Sequence, residues 1–385
     1  MKIALILNDD FSMWHFRGGL INGLVSRELE VCVIVPPGPY VTKLEAIGTR
    51  CVTIPMNRFI TPLQDLQLTW RLYKVFKTEK FDIVHNMTIK PNIFGTIAAK
   101  AAGVKWIVCL VSGLGFTFTD TPNLSTRITR SIAVFMYKIA LSISHKTWFQ
   151  NKDDFEYFVE KKIIRPEKGV VIRSGGINLT EYSYAAINQT ALEDLRRELH
   201  LPNHSKCVLM VAARLIWSKG VREFVEVSKM FQSKYPEWVF LMVCPRDPDG
   251  PDSVPDEYIN THRAKNLIII DYFRTDIKNI IALADIMVLV SYYREGVPRT
   301  LLEALAMSKP IITSNSVGCK EVVEDGKNGF LVPAKDSVAL SDKLTILMND
   351  ENIRREFGKY SREIVRKEFD EGIVVNRVIT DLYQI

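Results

Sequence analysis

Short apolar runs rich in β-branched residues alternate with longer helical stretches along this chain, and the alternation happens twice. The first series falls at 2–7, 30–36, 50–54, 81–85, 106–111, 146–149 and 169–172, and the second at 207–213, 238–243, 267–270, 286–290 and 311–314. A run that is apolar at nearly every position, rather than every second one, belongs to a strand covered on both faces. Parallel sheets held between helical layers build such strands. At 385 residues the chain is long for one core. The expected architecture is therefore α/β, with two doubly wound domains facing a cleft, and a linker near 177–184.

Composition narrows the class. The chain is 47% hydrophobic and 24% charged, the balance of a globular protein. Six cysteines without close pairing argue against a disulfide or metal framework, and suit a reducing compartment. The opening MKIALILNDD has too short an apolar run for a secretory h-region. No uncharged apolar span of eighteen residues follows, so no segment is expected to cross a membrane. The net charge of +6 is uneven: residues 1–180 hold 23 Lys and Arg against 14 Asp and Glu, whereas the remainder hold 27 against 30. Any acidic partner, whether anionic lipid, a diphosphate or nucleic acid, should meet the first half.

The densest chemistry is in SYYREGVPRTLLEALAMSK, residues 291–309. It follows a buried strand, and Pro298 at a first helical position predicts a helix through Arg299, Thr300 and Leu301. Gly296 and Val297 complete a loop at the carboxyl end of a parallel strand, where a helix N-terminus offers N–H groups to an anion. Glu295 and Glu303 flank that loop; they either hold hydroxyls around a bound phosphate or are acids favoured by the helix dipole. Arg214 and Lys219 follow the strand at 207–213 and suit a diphosphate, although cations near a helix start are also common on surfaces. Phe273 and Arg274 occupy another strand-end loop.

In the first half, Gly18 and Gly19 stand in a loop before a helix, either admitting a substrate or making a turn. His15 and Arg17 share that loop. His85 and Lys90 follow one strand and Ser112 another, and Lys90 and Arg17 are candidates for an acceptor phosphate. Asp247 and Asp249 imitate a metal-binding Asp-x-Asp pair, but no metal is expected there because Arg214 and Lys219 can meet the phosphates. Residues 121–152 contain no acid, while Arg127, Arg130, Lys138 and Lys146 interrupt an apolar helical pattern. The segment 124–146 reads as core packing with a basic edge or as a helix lying on an anionic membrane.

Glu295, the seven residues GVPRTLL and Glu303, with Pro310, Gly318, Glu321 and DGKNGFLVP downstream, resemble the signature of retaining glycosyltransferase family 4, whose fold is GT-B. The resemblance implies that Glu295 contacts the transferred sugar, Glu303 the nucleotide ribose, and Arg214 and Lys219 the diphosphate, with Phe273 and Arg274 in the base-binding region. The loops at 85–95 and 111–118 resemble those of bacterial transferases that add N-acetylhexosamine to polyprenyl-diphosphate-linked sugars. Family members often carry His where Ser112 stands. The implied protein is a metal-independent hexosyltransferase that needs no cofactor besides its UDP-sugar donor and does not bind nucleic acid. Its implied place is the cytoplasmic face of the cell membrane. The implied domains are 1–180 for the acceptor and membrane side, 181–360 for the nucleotide sugar, and a helix in 361–385 crossing back to the first. The rivals are a transferase with another lipid or polysaccharide acceptor, a sugar-nucleotide isomerase of the same plan, and a nucleotide-sugar or nucleic-acid binding module.

Overall fold

The computed structural model describes residues 1–57, 61–115, 118, 124–250 and 252–385, with the side chains of 124–126 set aside. The chain divides into two units, Met1–Gly176 with Glu371–Ile385, and Ile177–Asp370.

The first unit opens β1 (Lys2–Ile6), α1 (Asp10–Val25), β2 (Glu30–Val35), α2 (Val41–Ala46), β3 (Arg50–Thr53), α3 (Pro62–Glu79) and β4 (Ile83–Met87). It continues with α4 (Thr96–Ala102), β5 (Trp106–Val111), α5 (Leu124–Ile143), β6 (Lys146–Phe149), α6 (Lys152–Glu160) and β7 (Gly169–Val171). All seven strands are parallel, in the order β3-β2-β1-β4-β5-β6-β7. Each strand is followed by a helix that must cross back, and the apolar side chains on both faces give each helix somewhere to pack. On one face α1 packs through Met13, Leu20, Ile21 and Leu24. On the other lie Leu68, Leu72 and Phe76 of α3, Ala98 and Ala99 of α4, and Tyr137 and Leu141 of α5.

The second unit runs α7 (Gln189–Glu198), β8 (Lys206–Val211), α8 (Val221–Phe231), β9 (Trp238–Val243), α9 (Asp256–His262), β10 (Leu267–Ile270) and α10 (Ile277–Leu283). Then come β11 (Ile286–Leu289), α11 (Arg299–Ala306), β12 (Ile311–Ser314), β13 (Gly329–Val332), α12 (Ser337–Asn349) and α13 (Glu351–Ile364). Its six parallel strands are ordered β10-β9-β8-β11-β12-β13 around one large core. The chain then returns to the first unit as α14 (Glu371–Arg377) and the wider helical turns Val378–Tyr383. There Val374, Val375, Val378 and Leu382 join α1 on the first sheet.

Four details differ from the sequence reading. The units divide after residues 176 and 370, so 361–370 stays with the second unit and only 371–385 returns to the first. β13 was not expected, because its four residues GFLV are too short to stand out from the glycine-rich loop before them. Gly18 and Gly19 lie inside α1, which starts eight residues earlier because Asp9 caps it, its carboxylate accepting from the Ser12 N–H at 2.6 Å. Finally, α11 starts at Arg299 with Pro298 as its cap rather than its first residue.

Candidate active site

The densest polar constellation of the second unit sits at the carboxyl edge of its sheet, on loops after the neighbouring strands β9, β8, β11 and β12. After β8 the chain passes Arg214 and makes a short turn, Trp217–Lys219, that ends at Gly220. Gly220 has φ +86°, and a Cβ there would lie 2.6 Å from Val290 Cγ2 and 2.7 Å from its carbonyl oxygen, so only glycine lets the two loops meet. They are stitched there: the Ser218 carbonyl accepts from the Tyr292 N–H at 2.8 Å, the Tyr293 N–H at 3.1 Å and the Ser291 hydroxyl at 3.2 Å.

That junction sets the charges. The buried Lys219 ammonium donates to Glu295 Oε1, and the Ser291 hydroxyl lies 3.1 Å from the same oxygen. Arg214 donates to Asp247 Oδ2 at 3.2 Å from the loop after β9. One ring, Tyr293, lies 5.2 Å from the Arg214 guanidinium carbon and 5.3 Å from Lys219 Nζ, within cation–π range of both. Behind them Ser314 and Ser316 both donate to the Ser291 carbonyl, Ser316 at 2.6 Å. Gly318, at φ +81°, lies so close to the 295–296 backbone that a Cβ would run into the Gly296 carbonyl oxygen.

Glu303 is held from one side. Its Oε1 accepts from the Tyr182 hydroxyl at 2.9 Å and from Arg299 Nε at 3.0 Å. Burial raises the Glu303 carboxyl above the usual range, against the pull of those two partners. Gly296, Val297 and Pro298 are buried, and Thr300 is half-buried. Leu301 belongs to the core, and its N–H already donates to the Pro298 carbonyl at 3.1 Å, so it is not an open anion donor. Phe273 is exposed, whereas Arg274 is tied to Glu198 and to Asp276, 2.8 Å from Oδ1. A guanidinium holding two carboxylates is a structural clamp before it is a base contact.

The candidates of the first unit are placed differently. Gly19 lies against α14, where a Cβ would run into the Glu371 side chain, while Gly18 has nothing within 4 Å. Gly19 thus serves helix packing, and no loop exists there for the pair to open. His85 is in the middle of β4, fully buried, with Nδ1 2.8 Å from the Tyr383 hydroxyl of the returning tail. Burial, with Arg17 nearby, pulls its pKa down to about 3, so the ring is neutral. Arg17 is buried too, its guanidinium carbon 5.5 Å from the Trp148 ring and Nη1 on the Phe16 carbonyl at 2.8 Å. Lys90 is 2.5 Å from the Asp65 carboxylate and 3.3 Å from Thr61 Oγ1, so its charge is spent within the fold. His15 is exposed, its ring 4.3 Å from Phe11 and 5.2 Å from Tyr40, and Ser112 is half-buried just after β5. Residues 116 and 117 of the loop at 111–118 lie outside the described residues.

Sequence reasoning passed over Tyr182, Tyr293, Ser218 and Ser291. The tyrosine pair after β11 was a usable signal, since an aromatic next to a strand-end loop with two nearby cations invites stacking. Tyr182 gave none.

Two parallel sheets of this topology, one carrying a cation–carboxylate site at its carboxyl edge, define the GT-B class of sugar transferase, and comparison with known proteins agrees. A glycosyltransferase from Rickettsia africae superposes with a TM-score of 0.78 at 20% identity, covering 100% of this chain and 98% of that one. HepE from Anabaena, solved with UDP and glucose, superposes at 0.79 with 18% identity over the whole of both chains. The profile of glycosyl transferases group 1 matches residues 193–364, and that of the glycosyl transferase 4-like proteins matches 2–151. The N,N'-diacetylbacillosaminyl-diphospho-undecaprenol alpha-1,3-N-acetylgalactosaminyltransferase of Campylobacter jejuni is 30% identical over 380 residues, 98% of this chain and 97% of that protein. The UDP-Gal:alpha-D-GlcNAc-diphosphoundecaprenol alpha-1,3-galactosyltransferase of Escherichia coli is 28% identical over 341 residues, covering 87% and 84%. The chain belongs to the family 4 glycosyltransferases and is a hexosyltransferase.

Proposed function

We propose that this enzyme moves an N-acetylhexosamine from its UDP donor, with retention at the anomeric carbon, to a saccharide linked to a polyprenyl diphosphate. The observation that carries the reading is the meeting of Lys219 with Glu295 beside Arg214, with both cations against the Tyr293 ring. Cations fixed before the substrate arrives can stabilise the negative charge that grows on the departing diphosphate, because no reorganisation is needed when the bond breaks. In this reading Glu295 faces the transferred sugar, and Glu303, fixed by Tyr182 and Arg299 through one oxygen, receives the ribose hydroxyls. Gly296 to Thr300 approach the phosphates through backbone. Since Arg214 and Lys219 meet the phosphate charge, turnover needs no divalent metal and survives a chelator.

The acceptor class is supported by the Campylobacter and Escherichia relatives, both of which act on undecaprenyl-diphosphate-linked sugars by name. Among the described residues no helix is long and apolar enough to cross a membrane. The enzyme instead works at the inner face of the cell membrane, docked through segment 124–146. There α5 exposes Ile128, Ile132, Phe135 and Ile139, with Arg127 and Lys138 also exposed. Nucleic acid is no part of this reading. The test is UDP release from a panel of UDP-sugars with and without a polyprenyl-diphosphate-linked saccharide. Release that depends on the acceptor, with one N-acetylhexosamine donor preferred, is expected. Equal release without acceptor, or with a simple glycoside in its place, overturns the assignment.

A further inference from the structure

The membrane part of that reading rests on α5 alone, yet the same face of the first sheet carries a second helix of the same character. We propose that α3 is also a membrane-docking element, so that the protein rests on an anionic bilayer through both α3 and α5. On α3, Leu63 is 80% exposed, Leu66 69% and Trp70 57%. They are spaced i, i+3, i+7, which places them on one stripe. Their inward counterparts Leu68, Leu72 and Phe76 fill the core, so the outer stripe is surplus to folding. The helix continues with exposed Arg71, Lys74 and Lys77, and Lys74 Nζ lies 3.5 Å from the centre of the Trp70 ring. No carboxylate is exposed between residues 62 and 78, since Asp65 is turned inward onto Lys90.

An apolar stripe containing tryptophan, on a helix whose exposed charges from 62 to 78 are all positive, fits an interface with apolar depth and anionic headgroups, and a soluble acidic protein would supply only the second. The two helices lie on the same face of the sheet. Leu63, Leu66 and Trp70 are exposed along the first half of α3, Ile97 in the first turn of α4, and Ile128, Ile132, Phe135 and Ile139 along the length of α5.

The test is flotation of the full-length protein with phosphatidylcholine vesicles containing or lacking phosphatidylglycerol. The unmodified protein is compared with Leu66→Ser/Trp70→Ser on α3 and Ile132→Ser/Phe135→Ser on α5. Each double variant replaces exposed side chains, so both should melt as the unmodified protein does. Each is expected to lower partitioning onto the anionic vesicles about tenfold, and brominated lipid should quench a component of emission that Trp70→Phe removes. If the α5 variant loses binding while the α3 variant partitions normally and Trp70 is not quenched, this inference fails and the α5 reading stands. If the unmodified protein does not float at all, both fail. A lipid-free change of oligomeric state in the α3 variant would assign the stripe to a second copy of the chain and overturn the proposal.

Discussion

The carboxyl edges of the two sheets make an instructive pair. In the second unit, charged side chains from loops after β8, β9 and β11 converge: Lys219 on Glu295, Arg214 on Asp247, both cations beside Tyr293. In the first, three of the residues that looked chemical are taken up by the architecture, Lys90 on Asp65, His85 on Tyr383 and Gly19 against Glu371. The units share a topology, so the fold does not explain the difference. What differs is how the candidates were found. Those of the second unit came from a spacing that binds several positions together, and those of the first from residue type in an assumed loop. A reactive residue type near a strand end is as useful to a tail that must be anchored as to a substrate.

The comparison can be broken at its strong end. Glu295→Ala and Lys219→Ala should each lower kcat of the folded enzyme by about a hundredfold, the scale on which a preorganised charge acts, beyond the stability that breaking their buried pair costs. Near-normal turnover in both would move the active centre elsewhere. A comparable free energy is expected from Lys90→Ala, but as lost stability: stripping a buried carboxylate of its partner costs roughly 2–3 kcal/mol. Denaturant melts measure it, and KM for a diphosphate-linked acceptor should stay unchanged in the surviving folded enzyme. A selective rise in that KM with stability intact would restore Lys90 to the acceptor site. Smaller again, Tyr182→Phe should raise KM for the UDP-sugar about fivefold and leave kcat within a few-fold, because one hydrogen bond of about 1 kcal/mol to Glu303 is removed while Arg299 still holds it. Equal KM values would show that Arg299 alone positions the carboxylate.

Most of the architecture was legible. Strands buried on both faces keep their apolar runs whatever else changes, so twelve of the thirteen among the described residues could be read directly, and GFLV at β13 was too short. Glu295, Glu303, Arg214 and Lys219 were readable because a fixed separation around a strand–loop–helix junction limits what those residues can do. Burial was not legible. The resemblance implied a helix in 361–385 crossing back to the first unit, but nothing in the letters His85 or Arg17 says that it covers those side chains, and the contact between His85 and Tyr383 joins residues 298 apart. The helix beginning at Asp10 was missed for a local reason: two glycines suggested a loop, but an aspartate cap and the close approach of α14 outweigh their propensity.

The return of the tail has a consequence for how the protein is made. A ribosome delivers β1 well before Tyr383, with the whole second unit in between. Until residues 371–385 emerge, the hollow beside α1 that Val374, Val375, Val378 and Leu382 will occupy has no lid, and His85 has no hydroxyl to meet. The second unit carries its own core and can fold while the first waits. The newborn enzyme therefore passes through a stage in which its second unit is finished and its first is open along one flank, and that flank is where a chaperone would be needed.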